Sequence, residues 1–248
     1  MKKILVFCAT LFISFSSFAR IAFGPEIGLN LSKLNYSATG SQTVTGFTIP
    51  PLDIKNSLRT SGRFGAVADI GILGGLSVQP GVYYTMMGGG QKGTAKASLS
   101  TTALAQLGIP NLGFPLSADI KTDTKTTMNY IQVPVNITYH LKNFFFGAGP
   151  YLGYALNGKL KGTGTITLPI IGDYTTNVDS TIAFGSDKNK VKRTEFGASI
   201  TAGYDLPFGL FLRLYYQMGL TELSNDAGNS AKNRNFGVSV GYLYNRRK

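Results

Sequence analysis

The sequence holds one cysteine, one histidine and no tryptophan in 248 residues. Cys8 lies within residues 1–19, MKKILVFCATLFISFSSFA, where two lysines, an apolar run and a Ser17-Phe18-Ala19 end match a secretory signal peptide with a small-x-small cleavage site. The mature chain is therefore expected to begin at Arg20 and to form one domain over 20–248 with no thiol. Disulfides, thiolate metal sites and cysteine nucleophiles are then excluded. A lone imidazole, His140, cannot build a histidine metal centre, and no metal or cofactor is expected. Also missing is any later run of about eighteen apolar residues, so no helix of the mature chain is expected to cross a membrane. Acidic residues are few: 24 Lys and Arg against 12 Asp and Glu give +12, or (24 − 2) − 12 = +10 without the leader. Nucleic-acid binders share such a balance, but export removes that partner, and no nucleic acid is expected.

What the chain has instead is period-two alternation. Ile131, Val133, Val135, Ile137 and Tyr139 alternate with Tyr130, Gln132, Pro134, Asn136, Thr138 and His140. After Leu141-Lys142-Asn143 the pattern resumes with Phe144, Phe146, Ala148, Pro150, Leu152 and Tyr154 against Phe145, Gly147, Gly149, Tyr151, Gly153 and Ala155. One apolar and one polar parity is the mark of a strand with two unlike faces. Six more segments follow the rule, at about 23–31, 64–71, 76–84, 195–205, 210–217 and 236–244. These strands exceed the five or six residues usual in soluble sheets and match the 9–11 tilted residues of a transmembrane β-strand.

The eight segments are joined by short turns at 73–75, 141–143 and 207–209 and by long stretches at about 33–61, 88–127, 158–193 and 223–233. Short turns on one rim and long loops on the other define an eight-stranded antiparallel up-and-down transmembrane β-barrel, with periplasmic turns and extracellular loops. A barrel must close, because lipid cannot satisfy an open sheet edge. The apolar parity sorts its aromatics into two bands. Phe23, Tyr139, Phe144, Tyr204, Tyr242 and Tyr244 fall near the short-turn rim; Phe64, Tyr84, Tyr154, Phe196, Tyr216 and Phe236 fall near the long-loop rim. They are expected to form the two interfacial girdles, against outer-membrane lipids and lipopolysaccharide. Prolines 25, 80, 134 and 150 fall inside strands and are expected at bulges or rims, because proline removes a ladder donor.

The segments GLNLSKL (28–34), GRFGAVADIGILGGLSVQPGVYYTMMGGGQKG (62–93), NYIQVPVNITYHLKNFFFGAGPYLGY (129–154), EFGASITAGYDL (195–206), YYQMGLTEL (215–223) and NRNFGVSVGYLY (233–244) together resemble the PorT-type outer-membrane β-barrel family of Bacteroidota. The Ile-x-Val-Pro strand followed by Gly-Pro-Tyr-Leu-Gly-Tyr is the most specific part. The resemblance implies an eight-stranded barrel. It implies little about activity, since only the founding type is tied to protein secretion. Barrels of this kind commonly end on an aromatic residue that the barrel assembly machinery reads; here Asn245 to Lys248 follow Tyr244.

Eight strands enclose a bore just wide enough to be filled by side chains. The polar parity places Glu26, Asp69, Gln79, Gln132, Asn136, Arg213, Tyr215 and Gln217 inside. Charges there require partners. Arg213 is expected within about 4 Å of Glu26 or Asp69, with Gln79 alongside, either as a polar plug or as an ion-selective constriction. An outer-membrane enzyme would need its catalytic groups at the extracellular rim, whereas His140 falls at the other one, and no catalysis is expected. Asp119 and Asp123 read as solvated loop residues among lysines and threonines. The excess Lys and Arg, among them Lys92, Lys96, Lys125, Lys159, Lys161 and Arg193, cluster in the outer loops, where lipopolysaccharide phosphates lie. Three loops carry apolar runs around proline, at 47–52, 107–114 and 166–172, which suits loops packed on one another or a protein partner. Residues 158–193 are expected to continue the fifth and sixth strands outward, and 100–107 to form a short helix. Three readings of function remain open: a non-enzymatic barrel acting through its outer loops, a narrow channel for small solutes, and a soluble lipocalin-like binder with the parities exchanged.

Overall fold

The computed structural model describes residues 20–38, 42–44, 47–49, 52–99, 116–169, 172–188, 190–226 and 228–245. The leader expected over 1–19, the helix expected over 100–107 and the apolar run 107–114 lie outside them. The strands in chain order are β1 (Arg20–Ala38), β2 (Gln42–Val44), β3 (Phe47–Ile49), β4 (Asp53–Ser57), β5 (Arg59–Leu73), β6 (Leu76–Leu99), β7 (Leu116–Leu141), β8 (Phe144–Leu168), β9 (Gly172–Thr181), β10 (Thr194–Asp205), β11 (Leu210–Gly219) and β12 (Asn229–Tyr242).

Eight of them close into a ring, β1–β5–β6–β7–β8–β10–β11–β12, with β12 returning to β1, and every neighbouring pair is antiparallel. The ring belongs to a 10-stranded sheet, to which β4 and β9 are added on β6 and β8. Closure leaves no edge in the lower storey, which is what a membrane requires of a sheet. The final rung joins Phe23 to Tyr244 through paired backbone bonds of 2.7 and 3.3 Å.

The upper storey differs from the expectation of long loops. β6, β7 and β8 run on together well beyond Tyr84, Ile131 and Tyr154, up to Leu99, Leu116 and Leu168, with one register shift between β7 and β8 at Asn129/Tyr130. β4 takes the seat on β6 above β5, and β9 takes the seat on β8 above β10. The expected continuation of the fifth strand is therefore present as the β8–β9 hairpin. The sixth is not continuous, since β9 stops at Thr181 and β10 begins only at Thr194. These extensions escape a hydropathy reading because both faces are polar, with Lys121, Asp123 and Lys125 outward and Thr122, Thr124 and Thr126 inward. Asp119 and Asp123 stand on this wall, 3.9 Å from Lys96 and 3.3 Å from Lys92, and not in a loop.

The prolines also depart from expectation. Pro25, Pro80, Pro134 and Pro150 keep cross-strand partners in mid-strand. The irregularities lie elsewhere, at Gly71/Leu73 and Asn129/Tyr130. Pairing lapses locally beside Pro80 and Pro134, where the missing N–H falls.

Side chains obey the parities. Ile27, Leu29, Val133, Val135, Ile200, Leu212 and Val240 all point outward and are exposed, whereas Tyr83, Phe145, Tyr151, Phe211 and Tyr215 fill the bore. Glycine on the neighbouring strand makes room for these rings. A Cβ on Gly203 would lie 2.1 Å from the Phe145 ring, and one on Gly241 would lie 2.3 Å from that of Phe211. Phe145 and Phe211 meet edge to face at 6.3 Å, so the lower bore is a packed core and not a pore.

Candidate functional site: the bore and its outer wall

The centre of the bore is organised by Glu26 of β1. Its carboxylate accepts from Arg213 Nη1 at 2.9 Å, Arg63 Nη2 at 3.3 Å, the Tyr83 hydroxyl at 2.7 Å and Ser239 Oγ at 2.6 Å. Arg213 Nη2 donates to Gln79 Oε1 at 2.9 Å. The Arg63 guanidinium lies over the Tyr83 and Tyr215 rings at 3.7 and 4.1 Å, and Arg213 lies over Phe211 at 5.0 Å. Four strands, β5, β6, β11 and β12, thus send polar groups to one carboxylate of β1 that is fully out of water. A buried charge is tolerable only when paired and hydrogen-bonded in this way.

Glu26, Gln79 and Arg213 come together; Asp69 does not join them. Across β1–β5, Asp69 stands opposite Ala22, whereas Glu26 stands opposite Gly65. The stagger puts Asp69 four residues lower, about 13 Å along the strand at 3.3 Å per residue. Counting depth on each strand alone hides this shear. Arg213 is also not the only arginine here. Arg63 has the inward parity one step before Phe64, where the apolar alternation begins, and a segment started at its first apolar residue leaves it out.

At the short-turn rim Asp69 meets His140. The imidazole Nε2 lies 3.4 Å from Asp69 Oδ2 and 3.1 Å from Ser77 Oγ, and Nδ1 lies 3.3 Å from Asp205 Oδ2. Serine, histidine and aspartate stand in the order of a charge-relay triad. However, the nitrogen that would take the serine proton is shared with the Asp69 carboxylate. An imidazole between two carboxylates is better suited to ion pairing than to acting as a free base, and here it ties β5, β6, β7 and β10 together.

Gln217 belongs to a third group, in which its Oε1 accepts from Asn235 at 3.2 Å. Asn235 also donates to Asn30 Oδ1 at 3.2 Å, and Asn30 donates to Thr85 Oγ1 at 2.9 Å. Tyr215 donates to the same Asn30 oxygen. Gln132 is fully buried, yet neither atom of its amide has a partner among the described residues. Higher still, Glu195 accepts from Tyr151 at 2.6 Å and Asn233 at 2.7 Å, with no cation in ion-pair range among the described residues. Glu195 has inward parity beside Phe196, so the signal was in the sequence; nothing there says that hydroxyl and amide donors would replace a cation.

Outside, the aromatics occupy the positions the parity assigns. Phe23 and Tyr244 stack at 6.0 Å and Phe144 and Tyr204 at 4.9 Å on the short-turn side; Phe64 and Tyr84 stack at 5.2 Å on the other. Tyr216 is cross-strand partner to Phe236. Tyr139, Tyr154, Phe196 and Tyr242 are likewise exposed. Above them the outer wall is basic. Lys125 stands directly opposite Lys161 across β7–β8, with Thr127 opposite Lys159 and Asn129 opposite Asn157 below. Lys161 reaches Asp179 at 3.1 Å, whereas Lys125 and Lys159 have no carboxylate in range among the described residues. Like charges directly opposed weaken a sheet.

The connections that cross the mouth are tied to one another. Asn225 donates to the Gly185 and Lys190 carbonyls at 2.8 and 2.9 Å, and the Lys192 N–H donates to the Leu223 carbonyl at 2.9 Å. Glu222 accepts from the Ala231 N–H and from Ser230 Oγ. Burial pulls its carboxyl upward, but these bonds and the Lys232 charge outweigh it and hold it below its ordinary value. Loop packing is thus present, carried by Ile182, Phe184, Val191 and Leu223. The expected proline runs are only partly described.

A closed antiparallel barrel with an apolar exterior and a polar, filled interior is the architecture of outer-membrane proteins. The chain belongs to the outer membrane protein beta-barrel domain family, which it matches over residues 14–225, and it resides in the cell outer membrane. No curated protein matches it in sequence. Similar solved structures include Ail, the attachment invasion locus protein of Yersinia pestis, at 9% identity and TM-score 0.36, covering 90% of this chain and 98% of that one. Neisserial surface protein A is similar at 13% identity and TM-score 0.36, covering 90% and 97%. The outer membrane protease OmpT of Escherichia coli is similar at 12% identity and TM-score 0.29, covering 93% and 98%.

Proposed function

We propose that this protein is a non-conducting, non-enzymatic barrel that acts at the cell surface, its raised β6–β7–β8 wall set against lipopolysaccharide phosphates. The observation that carries the reading is the seal around Glu26, where two guanidiniums and the rings beneath them occupy the bore from β5, β6 and β11. With the bore filled, the accessible chemistry is outside. There Lys125 and Lys159 have no carboxylate in range among the described residues and lie above the Tyr154 level, where an anionic headgroup would relieve the repulsion between Lys125 and Lys161. Export by a leader over 1–19 and membership of the PorT type, which the segment order favours, belong to the same proposal.

The test has two arms. Purified protein in planar bilayers is expected to show no steady conductance; regular stepwise openings would replace this reading with the channel. Separately, the Lys125→Glu/Lys159→Glu double variant is expected to weaken binding of phosphorylated lipopolysaccharide by about tenfold at low salt, since each ammonium–phosphate pair it removes is a charge-assisted bond. Equal binding of phosphorylated and dephosphorylated lipopolysaccharide by the native protein would remove the partner from the proposal.

A further inference from the structure

Among the described residues, the mouth of the barrel is not filled as the bore is. Between the β6–β7–β8 wall and the crossing residues 182–188 and 190–193 lies a cavity of about 530 Å³, within the 300–1,000 Å³ usual for small-molecule sites. Leu34, Met128, Leu160, Ile182 and Leu223 supply apolar lining. Its floor belongs to a buried cluster of Leu34, Met87, Met128, Tyr130, Ala155, Leu223 and Ala231, so whatever enters stops above the Glu195 group. An apolar, concave surface of this size facing water carries a standing free-energy cost unless something covers it.

One polar group at the cavity wall has an unmet donor. Gln91 is 7% exposed and lines the cavity. Its Oε1 accepts from Thr126 Oγ1 at 3.1 Å and Thr124 Oγ1 at 3.4 Å, which fixes the amide's orientation. That leaves Nε2 buried as a donor with no partner among the described residues. A buried N–H with no acceptor costs about 1–3 kcal/mol, and a ligand acceptor would recover it. Lys190 also borders the space, but its ammonium is held by Asp187 at 2.5 Å, so it is not free to select an anion.

We infer that this vestibule is a binding site for one uncharged, mainly apolar small molecule bearing a carbonyl-type acceptor, received by Gln91 Nε2. At roughly 30 Å³ per water-sized group the space suits on the order of 15–20 non-hydrogen atoms. The inference does not depend on lipopolysaccharide contact, because the cavity faces inward and the lysine wall outward.

The test uses the full protein in lipid nanodiscs and the uncharged ketone fluorophore prodan, with empty nanodiscs as the partition control. Native protein is expected to add a saturable, blue-shifted component at about one probe per barrel. Ala183 lines the cavity, and Ala183→Trp, which adds bulk to that lining, is expected to lower affinity by about tenfold or more. Gln91→Leu, which keeps the volume and removes the donor, is expected to weaken binding several-fold while retaining the blue shift. Heat-modifiable gel migration shows whether each variant is folded. Absence of a saturable component in the native protein overturns the site. Unchanged affinity in folded Ala183→Trp places the probe elsewhere and overturns it too, and unchanged affinity in Gln91→Leu overturns the assigned donor. Should Ala183→Trp not fold, the native and Gln91→Leu results decide alone.

Discussion

Glu26→Gln is expected to destabilise the barrel by on the order of 3–5 kcal/mol, the range for breaking a buried charge pair from one side. The substitution keeps the shape but removes the counter-charge of both Arg63 and Arg213, which lie at 3.3 and 2.9 Å from it with almost no solvent contact. Neither guanidinium can relieve itself by losing a proton. Arg213→Met should cost less than Glu26→Gln, because Glu26 would keep Arg63, Tyr83 and Ser239. Urea unfolding in lipid vesicles, followed by the loss of heat-modifiable migration, gives both values. If Arg213→Met proved the more damaging, Glu26 would not be the centre of the network.

This ordering could not have been obtained from the sequence, although the elements of the network could. Alternation placed Glu26, Gln79 and Arg213 inside and on three strands, because side-chain period and pleat are one geometric fact. What alternation lacks is the stagger between strands. Asp69 and Glu26 look equally deep when each is counted from its own turn, yet β1–β5 register separates them by four residues and hands Asp69 to His140. The same limit hid Arg63, whose inward parity is plain but which stands just before Phe64, the first apolar residue of the outward face, so the apolar rhythm has not begun at its position. The upper wall was lost for a related reason: outside the membrane neither face needs to be apolar, so Thr122, Lys125 and their neighbours form long strands with no hydropathy signature. The vestibule is the extreme case, assembled from residues of six or more segments that only the closed ring brings together.

A crowded point of the lower bore gives the other large effect. A Cβ on Gly241 would meet Phe211 Cζ at 2.3 Å and Cε1 at 2.5 Å, and the Pro25 carbonyl at 2.9 Å. Phe211 has no free direction of retreat, being 1% exposed, edge-on to Phe145 and under the Arg213 guanidinium. One added methyl group must therefore displace either the ring or the β1–β12 ladder. Gly241→Ala is expected to cost about 3 kcal/mol, the upper end of ordinary overpacking, and to leave a large share of the chain unfolded after dilution into vesicles. Phe211→Leu removes the atoms in conflict, so the double variant should be more stable than the sum of the two single losses predicts, by at least about 1 kcal/mol of coupling. Strict additivity would mean that the methyl group is rejected by the Pro25 carbonyl and not by the ring. The glycine would then be serving strand closure, and the packing of aromatics on glycine would not be what fills this barrel.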